Sequence, residues 1–333
     1  MALPVLERVE RRRRRRRRGG TRAILIVLAV AGGVVLAFWT LRPSSSPNPG
    51  APGRSAQAPP PTPAEQQPPP TLVVGPSPLA PNRFTPPLSA RAAILVDART
   101  GRMLWSLRPH LRRPIASTTK IMTALLALER LRPRDLVTID PSVPRAAPFR
   151  EGLLAGQRVR AWKLFYGLLL YSGNDDALAL AIATSGSRGA FVAAMNREAR
   201  RLGLRDSHFS TPSGVVDRAN YSTAWDLAAL TRYALRNPRF QAIVRTRVKH
   251  VPWAAPTFEK IYLNKNGLLG QYRGADGVKT GWTTKAGHCL VASAQRDGAH
   301  LIVVLLAAPN RYRDAARLLN YGFGLRVIAR DRG

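Results

Sequence analysis

Three short polar motifs follow one another along the chain: Ser117-Thr118-Thr119-Lys120, Ser172-Gly173-Asn174 and Lys279-Thr280-Gly281. They supply a hydroxyl nucleophile, an amine three residues further on, a second hydroxyl, and a cation beside a glycine. These are the groups needed for acyl transfer by a serine that is activated by lysine rather than histidine. A lone serine-x-x-lysine recurs by chance, whereas all three motifs together are expected in roughly a few in ten thousand chains.

Ser117 follows Pro114-Ile115-Ala116 and precedes the apolar run Ile121–Leu128, which predicts a helix over 117–130 with Ser117 at its start. Free backbone N–H groups and the positive dipole end there favour the negative charge that develops in acyl transfer. Lys120 shares that helix face, and burial would lower its pKa so that a neutral amine can take the serine proton. Ser172 can relay a proton to a leaving amine, and Asn174 can hydrogen-bond either a substrate backbone or Lys120. Lys279 and the Thr280 hydroxyl can bind a terminal carboxylate, while Gly281 lets a substrate run close alongside the strand. The backbone N–H groups of Ser117 and Trp282 would then form an oxyanion hole, the Trp282 side chain simply packing. Asp175-Asp176 are expected to open a helix rather than act as acid or base, and His208 and His288 are given structural or surface duty. Cys289, the single cysteine, is read as a buried core thiol without a disulfide or metal partner.

These groups must be positioned by a folded region starting near Leu88. Ala92–Val96 and Met103–Ser106 flank the turn signal Asp97–Gly101 and predict a strand pair. Residues 135–250 read as mainly helical, with helical periodicity in Ala177–Thr184, Gly189–Leu202 and Thr223–Leu235. Apolar strands follow at 275–283, 288–296 and 299–308, the last two joined by Asp297-Gly298, and a final helix spans 311–322. Terminal strands around a helical middle, without strand–helix–strand alternation, predict an α/β sandwich: an antiparallel sheet flanked by helices, with an inserted helical region.

Ahead of this domain, residues 1–22 include eight consecutive arginines at 11–18, and Ala23–Leu41 form a nearly continuous apolar run. Nineteen residues at ~1.5 Å each reach about 28 Å, enough to cross a membrane, and the flanking arginines predict a cytoplasmic N-terminus with the C-terminal part outside. A cleavable signal peptide is the other reading of this segment. Residues 42–87, rich in Pro, Ser, Ala and Gln, read as an unfolded tether. The net charge of +33 is carried mainly by residues 88–333, at +23, and only 7 of the 52 cationic residues are lysine. Codon bias and an anionic partner, either an acidic wall polymer or lipid headgroups, both account for this excess. Nucleic acid does not fit, because aromatic and basic residues are not interleaved.

With these motifs the chain resembles the serine D-Ala-D-Ala carboxypeptidases, low-molecular-mass penicillin-binding proteins of peptidase family S11. The likeness extends to Ala116–Thr123, Met195-Asn196, Leu202-Gly203, Tyr221–Ala224 and Asn264–Gly270. It implies a sandwich of the β-lactamase type, removal of terminal D-alanine from peptidoglycan stem peptides through an acyl-enzyme on Ser117, covalent inhibition by β-lactams, and no metal or organic cofactor. Thr211-Pro212-Ser213-Gly214-Val215 departs from the family's Asn-Pro-His-Gly-Leu type of segment, leaving that loop's role open. The chain ends at Gly333 without the β-rich C-terminal domain and membrane-binding helix of many relatives, so the N-terminal span is expected to replace that anchor. Competing readings are a serine β-lactamase, disfavoured because no Glu lies between Glu198 and Glu259; an endopeptidase acting on cross-links; and a silent basic wall-binding protein.

Overall fold

A computed structural model describes Leu72 and residues 86–215, 219–253 and 258–330, with side chains followed to Leu325. The chain divides after Ala64, and every described residue lies in the second unit, Glu65–Gly333. The Arg-rich segment 1–22, the expected membrane helix 23–41 and most of the Pro-rich stretch 42–87 lie outside the described residues. Leu72, from that stretch, is buried against the main core.

The strands are β1 (Ala92–Asp97), β2 (Met103–Leu107), β3 (Leu136–Thr138), β4 (Arg158–Arg160), β5 (Val248–Val251), β6 (Lys260–Leu263), β7 (Ala275–Thr283), β8 (Gly287–Arg296) and β9 (Ala299–Leu306). Five of them form one antiparallel sheet in the order β2-β1-β9-β8-β7, so β7 is an edge strand. The turn after β1 closes as expected: the Asp97 carboxylate accepts from the N–H groups of Arg99 and Thr100, each at 2.9 Å. Between β8 and β9, Asp297 and Gly298 have φ of 47° and 75°, the pair of left-handed residues that a two-residue hairpin favours.

Both faces of this sheet are buried, which is why its strands read as unbroken apolar runs. Ala92, Ile94 and Val96 of β1 and Ile302, Val304 and Leu306 of β9 face a helical core, while Ala93, Leu95, Leu301, Val303 and Leu305 face the other way. The helices are α1 (Lys120–Arg130), α2 (Ala161–Tyr166), α3 (Asn174–Ser185), α4 (Arg188–Arg201), α5 (Ala224–Ala234), α6 (Pro238–Val244) and α7 (Arg311–Arg330). Ala315, Leu318 and Leu319 of α7 cover the second face, and α7 runs further than the expected 311–322. Side-chain caps start the middle helices: Ser187 accepts from Ala190 N at 3.1 Å, Thr223 from Asp226 N at 3.0 Å, and Asn237 from the first N–H groups behind Pro238.

The expected helix 117–130 begins instead with a tight 3₁₀ turn, Ala116–Thr119, before α1. The region expected to be mainly helical also holds the small β3–β4 pair, and a β5–β6 hairpin follows it. That hairpin escaped notice because Val248, Ile261 and Leu263 are apolar and exposed, which erases the polar alternation of a half-buried strand. Among the described residues no single helix is long and apolar enough to cross a membrane.

Candidate active site

The turn carrying Ser117 is fixed by close backbone packing. Ala116 has φ of 48°, the Thr118 hydroxyl donates to Ile115 O at 2.7 Å, and Ser117 emerges at the start of α1. A Cβ added to Gly281 would lie 2.9 Å from Ile115 O and 3.1 Å from Ser117 N. The glycine of the third motif therefore lets edge strand β7 press against the nucleophile's turn, in addition to leaving room for a substrate.

Lys120 is 0 % exposed, and its Nζ lies 3.0 Å from Ser117 Oγ, 2.8 Å from Asn174 Oδ1 and 3.1 Å from Ser213 O. Burial lowers its pKa from 10.5 to about 7. A neutral amine has two hydrogens and one lone pair. With Asn174 Oδ1 and Ser213 O taking the two hydrogens, the lone pair is left for the Ser117 hydroxyl. Asn174 thus takes Lys120 rather than a substrate backbone, while its Nδ2 donates to Pro148 O at 2.5 Å. The loop Thr211–Val215, whose role the sequence left open, supplies both Ser213 O and Pro212 O, the latter accepting from the Thr123 hydroxyl at 2.6 Å. A Cβ on Gly214 would run into Ala116 O, so this loop is seated directly on the nucleophile's turn.

Ser172 leaves a wide π-type turn over Gly167–Tyr171, with Ser172 N donating to Gly167 O at 2.7 Å and φ at 75°. This aims its side chain into the cleft at the start of α3. Asp175 and Asp176 do open that helix, as expected, but both are fully buried, and Asp175 accepts from three N–H groups of the loop 151–153.

Ser117, Ser172, Asn174, Thr280, Gly281 and Trp282 all line one cleft of about 930 Å³. Lys279 stands behind that wall: it is buried, its Nζ donates to Thr280 O at 3.1 Å, and burial with the charges of Lys120 and Lys265 pushes its pKa well down. One expectation needs correcting. The Trp282 side chain does not pack inward; it is 59 % exposed at the cleft mouth, next to the end of β7. His288, its cross-strand partner, also lines the cleft, whereas His208 stacks on Tyr221 outside it.

Several polar lining residues were missed by sequence reasoning, among them Lys265, Arg311 and Asn220. Lys265 stands over the Phe149 ring at 3.3 Å, and burial lowers its pKa to about 8. Arg311, at the start of α7, brings a guanidinium to the cleft. Asn220 lines it too, bonding Thr119 Oγ1 at 2.7 Å. Lys265 did carry a signal, since it falls within the Asn264–Gly270 stretch that shares in the family likeness. Cys289 is a buried thiol as expected, pushed up to about 11 by burial.

A serine held by a buried amine at a helix start, beside the edge strand of an antiparallel sheet, defines a lysine-activated acyl-transfer site. Residues 80–310 match the D-alanyl-D-alanine carboxypeptidase family, Peptidase S11, and the chain belongs to that family. It is 37 % identical over 263 residues to a D-alanyl-D-alanine carboxypeptidase of Streptomyces sp. strain K15, covering 72 % of this chain and 89 % of the relative. It is 34 % identical over 244 residues to DacB2 of Mycobacterium tuberculosis, covering 71 % and 83 %. Among solved structures, the Streptomyces K15 DD-transpeptidase superposes with a TM-score of 0.68 at 34 % identity, over 72 % of this chain and 99 % of that one. A D-alanyl-D-alanine carboxypeptidase from M. tuberculosis H37Rv gives 0.69 at 33 % identity, over 74 % and 95 %. These likenesses bear out the expected fold class and family.

Proposed function

We propose that the protein is a serine D-alanyl-D-alanine carboxypeptidase that removes the terminal D-alanine from peptidoglycan stem peptides. One observation carries the reading: Lys120 Nζ is buried 3.0 Å from Ser117 Oγ, with two carbonyl-type acceptors for its hydrogens. Ser117 Oγ attacks the carbonyl carbon of the penultimate D-alanine while Nζ takes its proton. The N–H groups of Ser117 and Trp282 meet the oxyanion. As the C–N bond breaks, the proton passes through the Ser172 hydroxyl to the leaving amine, and an ester remains on Ser117. Water, deprotonated by the same Nζ, hydrolyses that ester and frees the shortened peptide.

The Thr280 hydroxyl and the Arg311 guanidinium receive the terminal carboxylate. Lys279 acts from behind the wall, where a bound carboxylate would draw a proton back onto it. β-Lactams would acylate Ser117 in place of substrate. Among the described residues no Glu lines the cleft, which supports slow deacylation rather than β-lactamase turnover.

Mass spectrometry of the products from a pentapeptide ending in D-Ala-D-Ala, with Ser117→Ala as control, tests the assignment. Release of one alanine by the wild type alone supports it, and undiminished release by Ser117→Ala would overturn it. A cross-linked dimer run in parallel separates carboxypeptidase from endopeptidase action. An amine acceptor added to the assay checks transfer, the activity for which the Streptomyces K15 DD-transpeptidase is named.

The arginine run before 23–41 supports a single-pass membrane protein with its catalytic domain outside. Recovery of mature protein from the medium with an N-terminus near 45 would end that reading.

A further inference from the structure

Beneath the second motif lie two carboxyl groups with no part in the chemistry above. Asp176 is 0 % exposed, and neither of its oxygens has a hydrogen-bond partner among the described residues. The Glu151 side chain is 1 % exposed, and its Oε2 is likewise without a partner. The two carboxyl groups are within hydrogen-bonding reach of one another. Two carboxylates cannot bond each other, because both are acceptors only; with one proton between them, they can.

The surroundings decide which one holds the proton. Lys260 Nζ stands 3.4 Å from Glu151 Oε1 and donates to Glu151 O at 2.8 Å, which favours the charged form of Glu151. Lys163 also feels the Glu151 charge. Asp176 has Asp175 beside it on α3 and Lys120 across the motif, but no cation in contact.

Asp176 is also seated directly under the backbone that matters. A Cβ on Gly167 or on Gly173 would collide with its carboxyl oxygens, so this group fills the space beneath the turn that presents Ser172. On the other side, Glu151 follows Pro148 and Phe149, which line the cleft, and Asn174 N donates to Phe149 O at 3.0 Å. The pair therefore joins the wall at 148–153 to the start of α3.

We infer that Asp176 is a protonated carboxylic acid donating to the Glu151 carboxylate, and that this pair positions the Ser172 turn and the 148–153 wall against Lys120. Burial acts in the same direction, raising both groups and Asp176 the more strongly. Loss of the shared proton would leave two facing charges in a dry site, with Lys260 in contact with Glu151 alone. Asp176 and Glu151 are positioning residues, and their role rests on the acyl-transfer reading.

Asparagine at 176 mimics the protonated acid, whereas glutamine at 151 removes the charge that the acid donates to. Full-length Asp176→Asn is expected to be acylated by penicillin at the wild-type rate. Asp176→Ala and Glu151→Gln should acylate roughly 10- to 100-fold more slowly, the effect of an ångström-scale misplacement. Infrared difference spectroscopy at neutral pH should show a protonated carboxyl stretch in the wild type that Asp176→Asn removes. Asp176→Asn as slow as Asp176→Ala, an unimpaired Glu151→Gln, or the absence of that stretch would each overturn the inference. A wild type that penicillin never acylates would instead remove the enzymatic reading, and the infrared band would still judge the pair.

Discussion

Asn174→Asp places a carboxylate where Lys120 Nζ now meets an amide oxygen at 2.8 Å. In the native site burial holds the amine at about 7 instead of 10.5. At pH 7 about half of it is free base, against roughly 1 in 3,000 for an ordinary lysine, a gain of about three orders of magnitude. Because a lowered pKa favours the neutral form, acylation should rise as pH climbs through about 7 and level off above it. An opposite charge in contact raises such a cation by ~1–3 units, or ~1.4–4 kcal/mol, and complete burial leaves little screening to discount it. The acid limb of Asn174→Asp should therefore move up to ~8–10, with acylation at pH 7 falling roughly 5- to 500-fold and recovering in alkali. Asn174→Leu should lose rate at every pH without that displacement. The assay is the acylation rate of full-length protein with a fluorescent penicillin from about pH 5 to 10. Superimposable midpoints for wild type and Asn174→Asp would refute Lys120 as the titrating base.

Other substitutions probe the surroundings. Lys265→Gln removes a charge that now pushes Lys120 down, so the acid limb of the same profile should shift upward. Gly281→Ala brings a Cβ to 3.1 Å from Ser117 N, and acylation should fall roughly tenfold or more while circular dichroism stays native. Leu318→Ala, at a fully buried site under the sheet, should cost about 2–5 kcal/mol in urea denaturation. Cys289, held up at about 11 and fully buried, should resist thiol reagents until the protein unfolds; fast labelling of native protein would contradict its placement.

The sheet and the serine–lysine pair were legible because each is written locally. β1, β8 and β9 are apolar runs punctuated by Asp97–Gly101 and Asp297-Gly298, and Lys120 lies within one turn of Ser117. What the sequence could not convey depended on distant contacts. Ser213 reaches Lys120 from 93 residues away through a carbonyl, a group every residue possesses, so side-chain type gave no hint. Lys279 looked like a cation facing the substrate, yet the register of β7 turns its side chain behind the wall and Trp282 outward. Asp175-Asp176 looked like ordinary helix-opening acids, because nothing local reveals that loop 151–153 folds over them.

Of the six described non-glycine residues with positive φ, three adjoin the cleft: Ala116, Phe149 and Ser172, at 48°, 78° and 75°. A left-handed conformation costs an L-residue on the order of 1–2 kcal/mol, partly offset in glycine by its greater freedom when unfolded. The molecule is thus least relaxed where it reacts. Selection for heat resistance alone would tend to install glycine at these positions, and at 172 that change would delete the hydroxyl proposed as the proton relay, so on that reading thermal endurance and turnover would part company at a single codon.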